Sequence, residues 1–147
     1  MIERGLQVPF FYKYIKLICI GLDILLSLLI WLHGITIKSA GNNCANPDLM
    51  GMYQTGKKEI LICADNFQKH RISKSEVIKH EFIHYVYDFD KVKKTIIPDP
   101  YFTFLVKHFM SDDEKLPVIL YEKDYSVDEE LEARFLSRLP TIVLFFI

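Results

Sequence analysis

Residues 17–37, LICIGLDILLSLLIWLHGITI, form an apolar run of 21 positions in which Asp23 and His33 are the only polar ionisable side chains. A run of this length has to leave water, and two environments accept it: the interior of a fold or a lipid bilayer. Lys13, Lys16 and Lys38 could flank a bilayer span. Against a span, an Asp well inside it costs roughly 2.5–3.5 kcal/mol. Lys16, Asp23, Ser27, Gly34 and Lys38 also fall at helical spacings and draw one narrow polar stripe along an otherwise apolar helix. The run is therefore expected to be a buried core helix, with a membrane anchor as the alternative. A cleaved signal peptide is not expected, because the run is long and no small-x-small site follows it. His33-Gly34 reads as the helix stop. Ile35-Thr36-Ile37-Lys38 then alternates like a strand with one buried face.

The chain of 147 residues fits a single domain spanning 1–147. Half of its residues are hydrophobic, which excludes a disordered chain and supplies a core. Eighteen basic against nineteen acidic residues give a net charge of -1, so no nucleic-acid partner is expected. Cys19, Cys44 and Cys63 are odd in number and scattered. They are expected to be structural thiols rather than a disulfide framework or a CxxC zinc site, which favours a reducing, cytoplasmic setting.

Residues 39–56 are rich in Gly, Asn and other turn formers and read as a loop, and Lys57–Ala64 as a strand. Ser73-Lys74-Ser75-Glu76 fits a capping box that starts a helix running to about Asp88. Asp99 and Pro100 start an aromatic helix to about Met110. Ser111–Lys115 reads as a charged loop, Val118–Tyr121 as an extended piece, and Val127–Leu139 as a last helix stopped by Pro140. Thr141–Ile147 is apolar and needs a surface to cover it. The fold class is α+β, with three or four helices against a small mixed sheet of about three strands.

The most informative segment lies on the Ser73 helix: His80-Glu81-Phe82-Ile83-His84, an HExxH motif. Histidines at i and i+4 stand one turn apart on the same helix face, so their imidazoles can converge on one tetrahedral Zn²⁺. Zinc acidifies water, and the carboxylate of Glu81, next to the first ligand, can take the released proton during attack on a carbonyl. Val77, Ile78, Phe82, Ile83, Tyr85 and Val86 surround the motif with apolar side chains, where a surface helix would carry charge.

With these residues the sequence resembles the zincin metallopeptidases, and specifically the gluzincins, including small phage-type and regulator-cleaving peptidases. The order of an apolar helix, the Gly34–Lys38 strand, a Gly51-Met52-Tyr53 loop, the KKEILICA strand and the HEFIH helix matches the usual zincin layout over roughly residues 20–140. The resemblance implies a backing helix and an active-site helix packed on a small twisted sheet. It also implies hydrolysis of a peptide or protein substrate, strand addition of that substrate to the KKEILICA edge, and a third zinc ligand, a Glu, on a later helix. Asp128-Glu129-Glu130-Leu131-Glu132-Ala133-Arg134 resembles the ExEA-type ligand helix, in which the ligand lies three residues before Ala. That points to Glu130, and helical spacing agrees, since Glu130, Ala133 and Ser137 share one face. Glu132 and Glu129 stay as alternatives. Arg134 departs from the family pattern, which has a carboxylate or amide there to orient a ligand histidine. Two other readings stand beside the soluble peptidase: a membrane-anchored metalloprotease, and a non-proteolytic zincin-fold regulatory or toxin-related binding protein. Among weaker residues, His108 reads as a partly buried core histidine and His70 as a loop residue. Asp88 ends the helix or supports the site. Tyr85, Tyr87, Tyr121 and Tyr125 include possible oxyanion donors.

Overall fold

The computed structural model describes residues 24–67, 72–89, 96–121 and 126–147. Cys19, Asp23, His70 and Tyr125 lie outside them. The described chain is mixed α+β: a three-stranded sheet with helices making up most of the rest.

Residues 24–32 are helical (α1). The helix ends where expected. Gly34 takes φ +66, Ile35 N–H donates to the Ile30 carbonyl and Gly34 N–H to that of Trp31, which is a Schellman closure. Among the described residues no helix is long and apolar enough to cross a membrane. Strand β1 is Thr36–Ser39, β2 is Gly51–Gln54 and β3 is Glu59–Ile62. Their order is β1-β3-β2, with β1 parallel and β2 antiparallel to β3.

Two sequence expectations change here. Residues 51–54 are not loop but strand, and β3 is the central strand, not an edge. With both its neighbours paired, the KKEILICA strand has no free edge for a substrate; β2 borders the sheet instead. The expected buried face of β1 is also missing, because all four of its residues are exposed. The long helix α2, Lys74–Phe89, packs over β2 and β3 and leaves β1 uncovered.

Helix α2 occupies the centre because its apolar positions cover most of its circumference. Val77, Ile78, Phe82, Ile83, Tyr85 and Tyr87 are buried in one cluster with Leu26, Leu29 and Ile30 of α1, Tyr53, Ile60 and Ile62 of the sheet, and Ala133 and Leu136. Glu76 N–H bonds the Ser73 hydroxyl at 3.1 Å, which caps the helix as expected. Helix α3 is Asp99–Phe109, with Pro98 rather than Asp99 at the cap. Helix α4 is Asp112–Tyr121, where the sequence reading has a loop and an extended piece. Asp112, Asp113 and Glu114 sit in its first turn and complement the helix dipole, and Glu114 accepts from Ser111 N–H at 2.7 Å. Helix α5 is Val127–Ser137, opened by a full capping box between Ser126 and Glu129. After Pro140 the chain forms a 3₁₀ turn, Thr141–Phe146, that buries Thr141 and Leu144.

The cysteine reading is overturned. Cys44 and Cys63 form a disulfide, their Cα atoms 5.4 Å apart. Spacing along the chain hides it, since the turn after β1 folds back onto the end of β3 and brings distant thiols together. Disulfides persist in oxidising compartments, so the bond removes the argument for a reducing one.

Candidate metal centre

Helices α2 and α5 cross in contact, and their small residues permit it: Ala133 is fully buried and Ser137 nearly so. His80 and His84, one turn apart on α2, meet Glu130 on α5. His80 Nε2 lies 3.3 Å and His84 Nε2 3.2 Å from Glu130 Oε2, and the two Nε2 atoms are 3.1 Å apart. These three residues form a group that could hold a metal ion. The spacing tests the fit. A tetrahedral ion with bonds of 2.0–2.1 Å separates its ligand atoms by about 3.3–3.4 Å. The three donor atoms already stand close to that distance, and two imidazoles with one carboxylate suit zinc.

Arg134, the residue that breaks the family pattern, has a use. Its Nε donates to Glu130 Oε1 at 2.7 Å, one turn along α5. One carboxylate oxygen is thus held by the guanidinium and the other is left for the histidines. Burial pushes the Glu130 pKa up, but hydrogen bonds from His80, His84 and Arg134 outweigh it and hold the carboxyl far below its usual range. Burial pushes His80 down, and the bond and charge of Glu130 reverse this, so its pKa is raised.

Glu81 is 6% exposed and points to the sheet side of the same cleft. Its Oε2 accepts the Tyr53 N–H at 2.7 Å. Burial raises its pKa, with His80 and His84 acting in the opposite sense. β2 approaches α2 closely here because residue 51 is Gly. A Cβ on Gly51 would lie 2.6 Å from Val77 Cγ1 and 3.2 Å from Glu81 Oε1. The cleft over this group has a volume of about 410 Å³ and is bordered by Asp48 to Met52 on one side and by Arg134 and Arg138 on the other.

The alternative glutamates go elsewhere. Glu132 is fully buried, and its carboxylate accepts the Ile96 N–H at 2.9 Å and the Ile97 N–H. It ties down the chain entering α3, and burial raises its pKa against those two bonds. Glu129 is half-buried and closes the capping box. Asp88 accepts from Tyr53 Oη at 2.7 Å and Gly56 N–H at 2.9 Å, pinning the β2–β3 turn away from the histidines. His108 is exposed, not part of the core, and stacks on Phe104. Tyr85 Oη bonds His33 Nδ1 at 3.3 Å. Tyr53 is the residue that sequence reasoning missed. It holds Glu81 through its backbone and Asp88 through its hydroxyl, and burial with the Asp88 bond pushes its pKa up to about 12. Only recognition of residues 51–54 as a strand could have found it.

No protein-family model, curated protein or solved structure matches this chain.

Proposed function

We propose that the chain is a compact zinc-dependent metallopeptidase of gluzincin type. The observation that carries this reading is the convergence of His80, His84 and Glu130 within 3.1–3.3 Å of one another, with Glu81 buried beside them in the same cleft. His80 and His84 would bind through Nε2 and Glu130 through Oε2, with Arg134 holding Oε1. When bound, zinc would supply Lewis acidity, lowering the pKa of water and polarising a substrate carbonyl.

The residues of the chain do the rest. Glu81 is the general base. Its Oε2 is fixed by the Tyr53 N–H, and its Oε1 borders Gly51, where no side chain stands between it and the cleft. Burial makes this carboxylate more basic than one in water, which suits a group that takes a proton and then passes it to the leaving amine. An extended peptide would lie along β2, pairing with the border of the sheet next to Glu81, with backbone hydrogen bonds supplying affinity.

The test is metal content and hydrolysis in the same preparation. Elemental analysis should give about one zinc per chain, and His80→Ala should lose it. Glu81→Gln should keep the zinc and lose hydrolysis, because an amide matches the shape but cannot accept the proton. A wild-type chain that neither carries nor takes up zinc would sink the proposal. Undiminished hydrolysis by Glu81→Gln would remove the assigned base.

A further inference from the structure

Arg134 carries more donors than the metal group uses. Its Nε donates to Glu130 Oε1, and among the described residues neither of its Nη atoms has a partner. The side chain is 37% exposed and borders the cleft over His80 and His84. A guanidinium has edges that can grip a planar anion, formed by Nε with one Nη or by the two Nη atoms together. Glu130 takes the Nε side, and the edge between the two Nη atoms is left. The neighbouring Arg138 differs: it faces Glu114 at 2.5 Å and Glu76 at 4.0 Å, so its charge is answered within the fold.

The charges of the cleft point the same way. In the metal-free chain one carboxylate, Glu130, answers both Arg134 and the two histidines. A divalent ion on Oε2 would draw on that single negative charge, and no other acid among the described residues meets Arg134. Glu76 turns to Arg138, Glu81 is held by the Tyr53 N–H, and Asp48 is exposed on the opposite border.

We propose that Arg134 recognises a carboxylate of the substrate through the edge formed by its two Nη atoms, so that the cleft selects peptides with an anionic group beside the bond to be cut. This rests on the metallopeptidase reading. A carboxylate meets such an edge with two parallel, charge-assisted hydrogen bonds, whereas a neutral carbonyl brings one oxygen. The carboxylate is either the C-terminus of the peptide or an Asp or Glu side chain.

Binding is measured first, by calorimetric titration of the full chain loaded with zinc, the loading checked by elemental analysis. The probes are succinate and its half-amide, succinamate. Succinate brings one carboxylate for the zinc and a second for Arg134, and succinamate lacks the second. Succinate should bind more tightly by at least about tenfold, the worth of a hydrogen-bonded charge pair. Arg134→Gln should abolish that preference. Arg134→Lys keeps a cation beside Glu130 without the two-pronged edge and should lose most of it. Equal binding of the two probes by the wild type overturns the proposal. So does a preference that survives in both variants while zinc affinity falls, since Arg134 would then only hold Glu130. Cutting separates the two sources of the carboxylate. Short random peptides, as free acids and as C-terminal amides, are digested and the cut positions read by mass spectrometry. Cuts near the C-terminus that vanish in the amides assign the terminal carboxylate, and cuts beside Asp or Glu in both forms assign the side chain. Cuts with no acidic neighbour in either form overturn the proposal and leave the peptidase reading standing. Zinc-loaded protein that prefers succinate yet cuts neither mixture fails the peptidase reading and not the recognition of a carboxylate by Arg134.

Discussion

Glu129, Glu130 and Glu132 lie within one turn of α5 and have three different surroundings, so replacing each by Gln separates three kinds of loss. Glu130→Gln removes the only anionic donor from the group formed with His80 and His84. Losing a residue that merely supports a ligand costs about 10–100-fold in metal affinity, so losing a ligand charge should cost at least about 100-fold. Metal-free folding should weaken as well, because the buried carboxylate that His80, His84 and Arg134 hold is lost, although the stranded Arg134 is 37% exposed and water can reach it. Glu132→Gln should act on folding alone. Its carboxylate takes two backbone N–H groups at a site with no solvent access, and an amide can take only one. One lost charge-assisted bond and one opposed N–H amount to about 3 kcal/mol. For a chain of this size that lowers the melting temperature by on the order of 10 °C, with zinc affinity nearly unchanged. Glu129→Gln should do neither, since Gln also serves in a capping box. Competition with a chromophoric chelator gives the affinities, and melting of the metal-free variants gives the stabilities. If Glu132→Gln loses the metal while Glu130→Gln keeps it, the assignment of the two side chains is reversed. If none of the three changes zinc affinity, α5 holds no ligand and the gluzincin reading fails.

Gly51→Ala places a methyl group 2.6 Å from Val77 Cγ1, which should cost about 1–3 kcal/mol and push Glu81 out of register; a variant with wild-type melting and turnover would show that β2 does not press on α2. Removing the Cys44–Cys63 bond frees a segment with a sequence separation of 19, so Cys44→Ser with Cys63→Ser should lose about 3 kcal/mol in denaturant unfolding. An unfolding midpoint equal to that of the wild type would mean that the bond is not formed in the native protein. The His80–Glu130 pair sets a pH dependence with a defined sign. The raised His80 pKa contributes stability below its unfolded value of 6.5 that is lost as pH rises through the folded one. The depressed Glu130 pKa contributes stability above its unfolded value of 4.5 that is lost as pH falls through the folded one. Metal-free protein should therefore gain most from this pair between those values. A metal replaces the proton on His80, so the rise in melting temperature on adding zinc should grow from about pH 5 to about pH 8. An increment that stays flat over that range would contradict proton–metal competition at this site.

Much of the site was legible because it is local. HExxH puts two imidazoles on one side of a helix by the 3.6-residue period alone, and the apolar positions around it bury that helix. Glu130 ranks above its neighbours by the resemblance to a ligand helix whose Glu lies three residues before Ala, and helical spacing agrees, since Ala133 and Ser137 share its face. The helix stop at Gly34 follows from its freedom to take positive φ. One miss is local, since Asp112, Asp113 and Glu114 read as a charged loop and instead open helix α4; those around the site involve partners distant in the chain. Residues 51–54 lack a strand signature, and they become a strand because β3 offers an unpaired edge and Gly51 lets the backbone settle against Val77. The KKEILICA strand announces itself as a strand, but nothing in its composition says that it is paired on both sides. The disulfide depends on a turn that carries Cys44 back to Cys63. Arg134 looked like a departure from a pattern until Glu130 was found one turn before it with one oxygen to spare. By itself the sequence determined which residues share a helix face, because that is fixed by the rise and twist of a single element. Only the tertiary structure decided which of three adjacent carboxylates meets the histidines, which strand borders the cleft and which thiols pair, because each depends on how separate elements pack together.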